Sequence, residues 1–470
     1  MIEKLKENIK IMKLKKVTVE KLFNFYSYEI PFIQDKPITI IHAPNGYGKT
    51  TVLKLIKNIM DLNIVDICMV PFDEFTMEFV DNTKIIVKKD IRERMHDRAI
   101  DMQLISITVV TSTGKHEFKF QMTQRKLERI REMGFKDYLE REEIHRRRTP
   151  VDERGDGEEI RSEYRQYCKI EENLREIRDK KGVRINFIDS NRLFTTKDKT
   201  VIADDYITER EIYLRNRRIH DGVDYTHNVT ESIIDYSNEL LKKIAQNREE
   251  FSNVSETKER DFPNRLVEYV DSGKSFLDAS DIVFKLRDLE KKREELEKLG
   301  LVLPGKTTTL PQNKDLDDTM LKFYSLYISD TEEKLSVFDD IKKKLELLLN
   351  IINNKTQFSN KRMRIDNRRG VVFEPIESSE AEKRIIPLDK LSSGEKHDFI
   401  LFYEFIFKAT ENSIVLIDEP EISLHVAWQM EFINELSKIC DMNGIQAVIA
   451  THSPDIVNGN NDILVSLGEL

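Results

Sequence analysis

Residues 43 to 50 read Ala43-Pro-Asn-Gly-Tyr-Gly48-Lys49-Thr50, a glycine-rich turn in which alanine takes the first glycine place of a phosphate-binding loop. The apolar run 38 to 42 precedes it and a helical pattern follows, the context such a loop requires. Gly46 and Gly48 let backbone N–H groups curl around phosphate oxygens, and the helix N-terminus aims its partial positive charge at the same anion. Lys49 adds a point charge and Thr50 offers a hydroxyl to Mg²⁺. Asn45, Gly46, Tyr47, Gly48, Lys49, Thr50 and Thr51 are therefore expected to line an ATP site.

A second group lies far along the chain. SIVLIDEPE (413 to 421) is an apolar strand ending on two acids, Asp418 and Glu419. The C-terminal edge of such a strand is where open α/β sheets bind ligands. There Asp418 would hold Mg²⁺ and Glu419 would orient or deprotonate the attacking water. In LSSGEKH (391 to 397), Ser392 and Gly394 open a helix. That turn is either an ordinary N-cap or a second anion site, one that a single γ-phosphate in one chain does not need. His452, in AVIATHSPDIV (447 to 457), follows another strand. It is either structural or a sensor that hydrogen-bonds the γ-phosphate.

Positioning these groups takes an α/β framework. From about 14 to 122 the runs VTVEKLF, SYEIPF, ITIIHA, TMEFVDNTKIIVKKD and LISITVVTSTGKHEFKF read as strands and hairpins, interrupted by one helix, TTVLKLIKNIM. From 123 to about 355 the chain is helical and charged. Ile282, Leu286, Leu289 and Leu296, and likewise Phe338, Ile341, Leu345, Leu348 and Ile352, keep a 3-and-4 spacing on either side of a Pro- and Gly-containing loop. They form a helical hairpin or short coiled coil, or two amphipathic helices packed on a bundle. VRINFIDSNRLF (183 to 194) reads as a strand returning to the sheet. After 360 come RMRIDNRRGVVFE, a helix near 394 to 410, and strands SIVLI, IQAVIA and ILVSL around the helix SLHVAWQMEFINELSKICDM. Strands alternating with helices at this spacing predict a parallel sheet covered on both faces. The expected divisions are 12–122, 123–182, 183–194, 195–358 and 359–470: a nucleotide-binding domain split by a helical insertion.

Composition narrows the class. Among 470 residues, 39% are hydrophobic and 34% charged, which suits a chain with many exposed helices. No run approaches the roughly 18 apolar residues of a membrane span, so a cytoplasmic location and no membrane partner are expected. The charged start lacks the apolar core of a signal peptide. Three cysteines, Cys68, Cys168 and Cys440, without CxxC spacing, make neither a disulfide framework nor a cysteine zinc site. The net charge of -9 gives no whole-molecule attraction to nucleic acid.

PNGYGKTT, LSSGEKH, IDEPEISLH and ATHSPDIV, in that order, resemble the motifs of ABC-type ATPases, in the branch that contains RecF, the SMC proteins and the OLD-like proteins of bacterial phage defence. The resemblance covers both ends of the chain and not its middle. It implies an ABC-type P-loop domain, a mixed sheet with helices on both faces plus an antiparallel β subdomain. It implies further that Ser392 and Gly394 contact the γ-phosphate of another copy, that Glu419 is the base with Lys49 and His452 assisting, and that the chain forms a head-to-tail dimer or higher oligomer. The aromatic run Phe23, Phe25, Tyr26 lies where the family stacks adenine, or else packs a core. Gln103 and the Ser190-Asn191-Arg192 segment are candidates for the family's glutamine loop. Ile422-Ser-Leu-His425 stands where transporter domains carry Ser-Ala-Leu-Asp, which favours the OLD-like branch over a transporter subunit.

These implications lead to an ATPase that controls a separate effector in an anti-phage system, similar to those of Septu or PARIS type. A RecF-like DNA repair ATPase is the alternative. Arg146 to Arg148, Arg215, Arg217, Arg218, and Lys361, Arg362, Arg364, Arg368 and Arg369 are either solvated faces or a groove for DNA, RNA or an acidic protein across the dimer, and a nucleic acid or a phage protein is the expected trigger.

Overall fold

The structure, a computed structural model, describes residues 13–92, 102–112, 114–148, 157–179, 183–188, 225–271, 276–305, 317–376, 385–424 and 426–467. The chain divides into two compact units, one of residues 1–192 and 408–470, the other of residues 193–407.

The first unit holds two sheets. One has five parallel strands, ordered β13 (Leu464–Ser466), β3 (Ile38–His42), β12 (Gln446–Thr451), β11 (Ile414–Asp418) and β8 (Ile185–Ile188). Every residue of β11 and β12 is buried. This is why both read as unbroken apolar runs rather than alternating ones, as central strands of a parallel sheet do. The register pairs Asp418 with Ala450 and Thr451 with His42, so β11, β12 and β3 end together at one edge. Helix α1 (Lys49–Met60) packs on β8, β11 and β12 through Val52, Leu53, Leu55, Ile56 and Ile59.

The second sheet is antiparallel, ordered β2 (Tyr26–Pro31), β1 (Leu14–Leu22), β4 (Glu74–Phe79), β5 (Lys84–Arg92), β6 (Met102–Thr111) and β7 (Gly114–Met122). Its strands alternate, as in β4, where Phe75, Met77 and Phe79 are buried and the residues between them half-buried. Helices α2 (Ile64–Met69), α3 (Gln124–Met133), α4 (Phe135–Arg148) and α5 (Gly157–Asp179) follow, with α5 lying on β7. One apolar core runs from Leu14 through the α1 face to Val448 and Leu467, so both sheets share it. Gln446 ties them at one point: its side-chain amide accepts from Leu14 N at 2.9 Å and donates to Leu14 O at 3.1 Å.

The second unit is mainly helical: α6 (Tyr225–Asp271), α7 (Ala279–Lys298), α8 (Asp318–Ser336), α9 (Asp339–Thr356) and α10 (Ser393–Tyr403), the last running into a π-helical stretch, Glu404–Lys408, at whose last residue the first unit resumes. The apolar spacings read from the sequence are its buried faces, since Ile282, Leu286, Leu289 and Leu296 of α7 and Ile341, Leu345, Leu348 and Ile352 of α9 are all buried. An additional helix, α8, lies between them and packs on both α6 and α7. Strands β9 (Lys361–Asp366) and β10 (Gly370–Pro375) pair with each other as a separate hairpin against α9 and α6. No described helix is long and apolar enough to cross a membrane.

Candidate functional site

The loop between β3 and α1 needs its glycines. Gly46 and Gly48 have φ of +90° and +81°, a region closed to most side chains. A Cβ on Gly48 would also lie 2.7 Å from Leu22 Cδ2 and 3.1 Å from Phe23 Cε2, so the end of β1 supports the loop from behind. Helix α1 has Gly48 as its N-cap and no side-chain cap, which leaves first-turn N–H groups for an anion. The crest of the loop, Pro44 to Gly46, is exposed. Lys49 is only 5% exposed, and its ammonium donates to Ala43 O at 2.6 Å and Pro44 O at 3.2 Å. Burial pulls Lys49 below its usual pKa, while the carboxylates of Glu419, Glu421 and Asp418 pull the other way.

Opposite the loop, Asp418 ends β11 with 1% exposure. Thr50 Oγ1 donates to Asp418 Oδ1 at 3.0 Å, joining the first turn of α1 to the acidic strand across 368 residues of sequence. A hydroxyl and a carboxylate side by side are oxygen ligands suited to Mg²⁺, and the Lys49 ammonium, which feels the Asp418 charge, suits a phosphate. Glu419 follows with φ 44° and ψ 60°, a left-handed conformation that costs a non-glycine residue on the order of 1–3 kcal/mol. The backbone turns there because Glu419 N still bonds Ala450 O at 2.8 Å in register with β12. That turn carries the side chain off the end of the strand, where its Oε1 lies 3.7 Å from His452 Nδ1.

Glu421 was not singled out in the sequence, although it stands in the same DEPE run. It occupies the 3₁₀ turn Pro420–Ser423 and its side chain is 7% exposed. Oε1 accepts from Thr451 Oγ1 at 2.7 Å and from His452 N at 3.0 Å, and faces His452 Nδ1 at 3.0 Å. The only sequence signal was an acid two places after Glu419; its meaning depends on the register of β11 with β12.

In the second unit, Ser392 caps α10. Its Oγ accepts from Glu395 N at 3.2 Å, and Glu395 Oε2 accepts from Ser392 N at 2.8 Å, a reciprocal capping box. Glu395 also accepts from Lys361 Nζ at 2.8 and 2.9 Å and from Ser359 Oγ at 2.7 Å. Burial pushes the Glu395 carboxyl up, but these bonds outweigh it and hold the group below its ordinary value. Gly394 has an ordinary φ, and a Cβ there would meet nothing within 4 Å.

Other expected positions fall variously. Phe23 packs against Gly48, Tyr26 stacks on Tyr47 at 5.3 Å and on Tyr28 at 5.8 Å, and Phe25 is 83% exposed. Tyr28 OH donates to Tyr47 O at 3.0 Å, so the aromatic group steadies the loop. Gln103 belongs to β6 of the antiparallel sheet, paired with Ile91 and Met122, not to the edge that holds Asp418. Ser190-Asn191-Arg192, Arg215, Arg217 and Arg218 lie outside the described residues, as do the side chains of Arg146 to Arg148. In the last basic cluster Lys361 is held by Glu395 and Arg364 by Glu374 and Asp366, while Arg362, Arg368 and Arg369 are exposed.

Comparison with known proteins matches residues 12–457 to the AAA ATPase domain family. Among curated proteins, the Retron Ec83 probable ATPase of Escherichia coli is 28% identical over 169 residues, 31% of each chain. Protein ea59 of Escherichia phage lambda is 39% identical over 70 residues, 14% of this chain and 13% of that one. The chain thus spans less than a third of either relative. Among solved structures, an Smc head bound to the C-winged helix domain of ScpA matches at 11% identity and TM-score 0.32, over 95% of this chain and 91% of that one. An Smc head domain with coiled coil and joint derived from Pyrococcus yayanosii matches at 13% identity and TM-score 0.28, over 97% and 95%.

Proposed function

This chain belongs to the AAA ATPase domain family, and from that premise we propose that it binds ATP with Mg²⁺ and hydrolyses the γ-phosphate at the edge formed by Lys49, Thr50, Asp418 and Glu419. The observation that carries the reading is the 3.0 Å hydrogen bond from Thr50 to Asp418, beside the buried ammonium of Lys49. In that edge Asn45 to Thr51 wrap the phosphates with backbone N–H groups, and Lys49 exchanges its two loop carbonyls for phosphate oxygens. Mg²⁺, when bound, neutralises charge developing on the phosphate oxygens. Thr50 and Asp418 are the residues that would hold it. Glu419 takes the proton of the attacking water, and His452 lies 3.7 Å from it, in place to contact the same phosphate.

The site is completed by a second copy. Ser392 uses its oxygen in capping α10, which leaves the hydroxyl hydrogen to donate. Gly394 beside it has space that no described residue occupies. Both features support a turn shaped for the γ-phosphate of another protomer, so that ATP joins two chains and hydrolysis releases them. A cycle of this kind suits a regulatory subunit in an anti-phage system of Septu or PARIS type. There it would hold and release a separate effector in response to a nucleic-acid or phage-protein trigger. The stretch shared with a retron ATPase favours that setting over DNA repair.

The test is turnover and assembly of Glu419→Gln. It should bind ATP, hydrolyse it at least about 100-fold more slowly and accumulate as an ATP-bound dimer or higher oligomer. Normal turnover in that variant would remove Glu419 as the base.

A further inference from the structure

Resting on the ATPase reading above, we infer that Glu421 is a positioning residue that holds His452 by its Nδ1 edge and leaves Nε2 for the phosphate or the attacking water. His452 Nδ1 lies 3.0 Å from Glu421 Oε1 and 3.7 Å from Glu419 Oε1, so hydrogen-bonding distance is met at Glu421 alone of the two. The same Oε1 accepts from the His452 amide and from Thr451 Oγ1. One oxygen therefore holds the histidine's backbone and lies within hydrogen-bonding distance of its ring.

The anchor is itself locked. Thr451 Oγ1 also accepts from Ser453 N at 3.0 Å, and Ser453 Oγ donates to Gln429 Oε1 at 2.8 Å. Gln429 Nε2 returns to Glu421 O at 3.3 Å and Leu424 O at 3.2 Å. This closed ring ties the turn after β11 to the turn after β12, with Glu421 and His452 on its site side. Ser453, Thr451, Gln429 and the Glu421 side chain are all buried, whereas the His452 side chain is 43% exposed. A buried frame holding one exposed ring is the arrangement of an orienting acid, which sets which ring nitrogen meets the ligand.

The second carboxylate oxygen gives independent support. Glu421 Oε2 is buried and has no hydrogen-bond partner among the described residues. The bonds to Thr451 and to the His452 amide need only an acceptor oxygen, which glutamine would also supply. What glutamine would not supply is a negative charge opposite Nδ1. A carboxylate at this place, with one oxygen unpaired among the described residues, is accounted for by the ring it faces.

Three proteins decide the matter: Glu421→Gln, His452→Ala and the double variant, each measured for ATP turnover, KM and melting temperature beside the wild type. The expected result for Glu421→Gln is a kcat lowered roughly 10- to 100-fold with KM for ATP within about twofold and an unchanged melting temperature. The double variant should be no slower than His452→Ala, because both substitutions remove one device. Wild-type kcat with a lowered melting temperature, or losses that multiply in the double variant, would overturn the inference. Histidine-labelled protein gives a readout free of activity. The ¹⁵N shifts of His452 should report a hydrogen on Nδ1 in the wild type and its redistribution in Glu421→Gln; identical spectra would also overturn it. Absence of turnover in the wild type would count against the ATPase reading instead, and the nitrogen shifts would still decide the role of Glu421.

Discussion

The loop around Gly48 and the turn around Gly394 are both glycine-containing helix starts, but only the first is explained by its own chain. At Gly48 the backbone is left-handed and Leu22 stands 2.7 Å from where a side chain would begin. At Gly394 the backbone is ordinary and no described residue comes within 4 Å of where a Cβ would stand. The polar groups differ in the same way. Lys49 and Thr50 are engaged with loop carbonyls and Asp418, the partners they would exchange for phosphate under the proposal. Ser392 spends its oxygen on the cap and keeps a hydrogen to give. That contrast underlies the proposal of a site shared between copies.

The contrast can be broken in several places. Lys49→Ala removes the charge that meets the phosphates and should lower ATP affinity by roughly 100-fold or more, with no turnover, as read by calorimetric titration. Gly48→Ala should destabilise the first unit by about 2–4 kcal/mol, because strain and the Leu22 clash act together; chemical denaturation measures it. Gly394→Ala should leave folding within about 0.5 kcal/mol of wild type, or slightly more stable from helix propensity, yet reduce ATP-dependent self-association about tenfold. If Gly394→Ala were to unfold the protein or leave association untouched, the two glycines would not differ as described.

The smallest effect sharpens the account of the turn itself. The Glu395 carboxyl is held below its ordinary 4.5 by Lys361, Ser359 and the Ser392 amide, against the upward push of burial. Its contribution is therefore full at neutral pH and is lost as pH falls through the lowered value. Glu395→Gln should cost about 1–2 kcal/mol at pH 7 and flatten the acid limb of a stability-versus-pH curve.

Much of this was legible in the sequence because it is local. An apolar strand ending in a glycine turn, or in Asp418 and Glu419, announces itself by pattern and places its residues at a sheet edge. The helix faces of α7 and α9 followed from spacing alone. What escaped needed distant register. Glu421 acquires meaning only when β11 and β12 pair so that Thr451 and His452 come over the 3₁₀ turn. Lys361 read as part of a solvated face or a groove, and its bond to Glu395, 34 residues later, could not be foreseen from spacing. Helix α8 carries buried polar residues, Ser325, Asp330 and Thr331, among its apolar ones, which blurs the 3.6-residue stripe.

The most direct test of a site shared between copies is complementation between two inactive variants, Lys49→Ala and Gly394→Asp. Alone, each should turn over ATP at background. Mixed in equal amounts, they should regain up to roughly a quarter of wild-type turnover, since half of the dimers pair one intact loop with one intact turn. A mixture no more active than its components would contradict the account and place the complete site within a single chain.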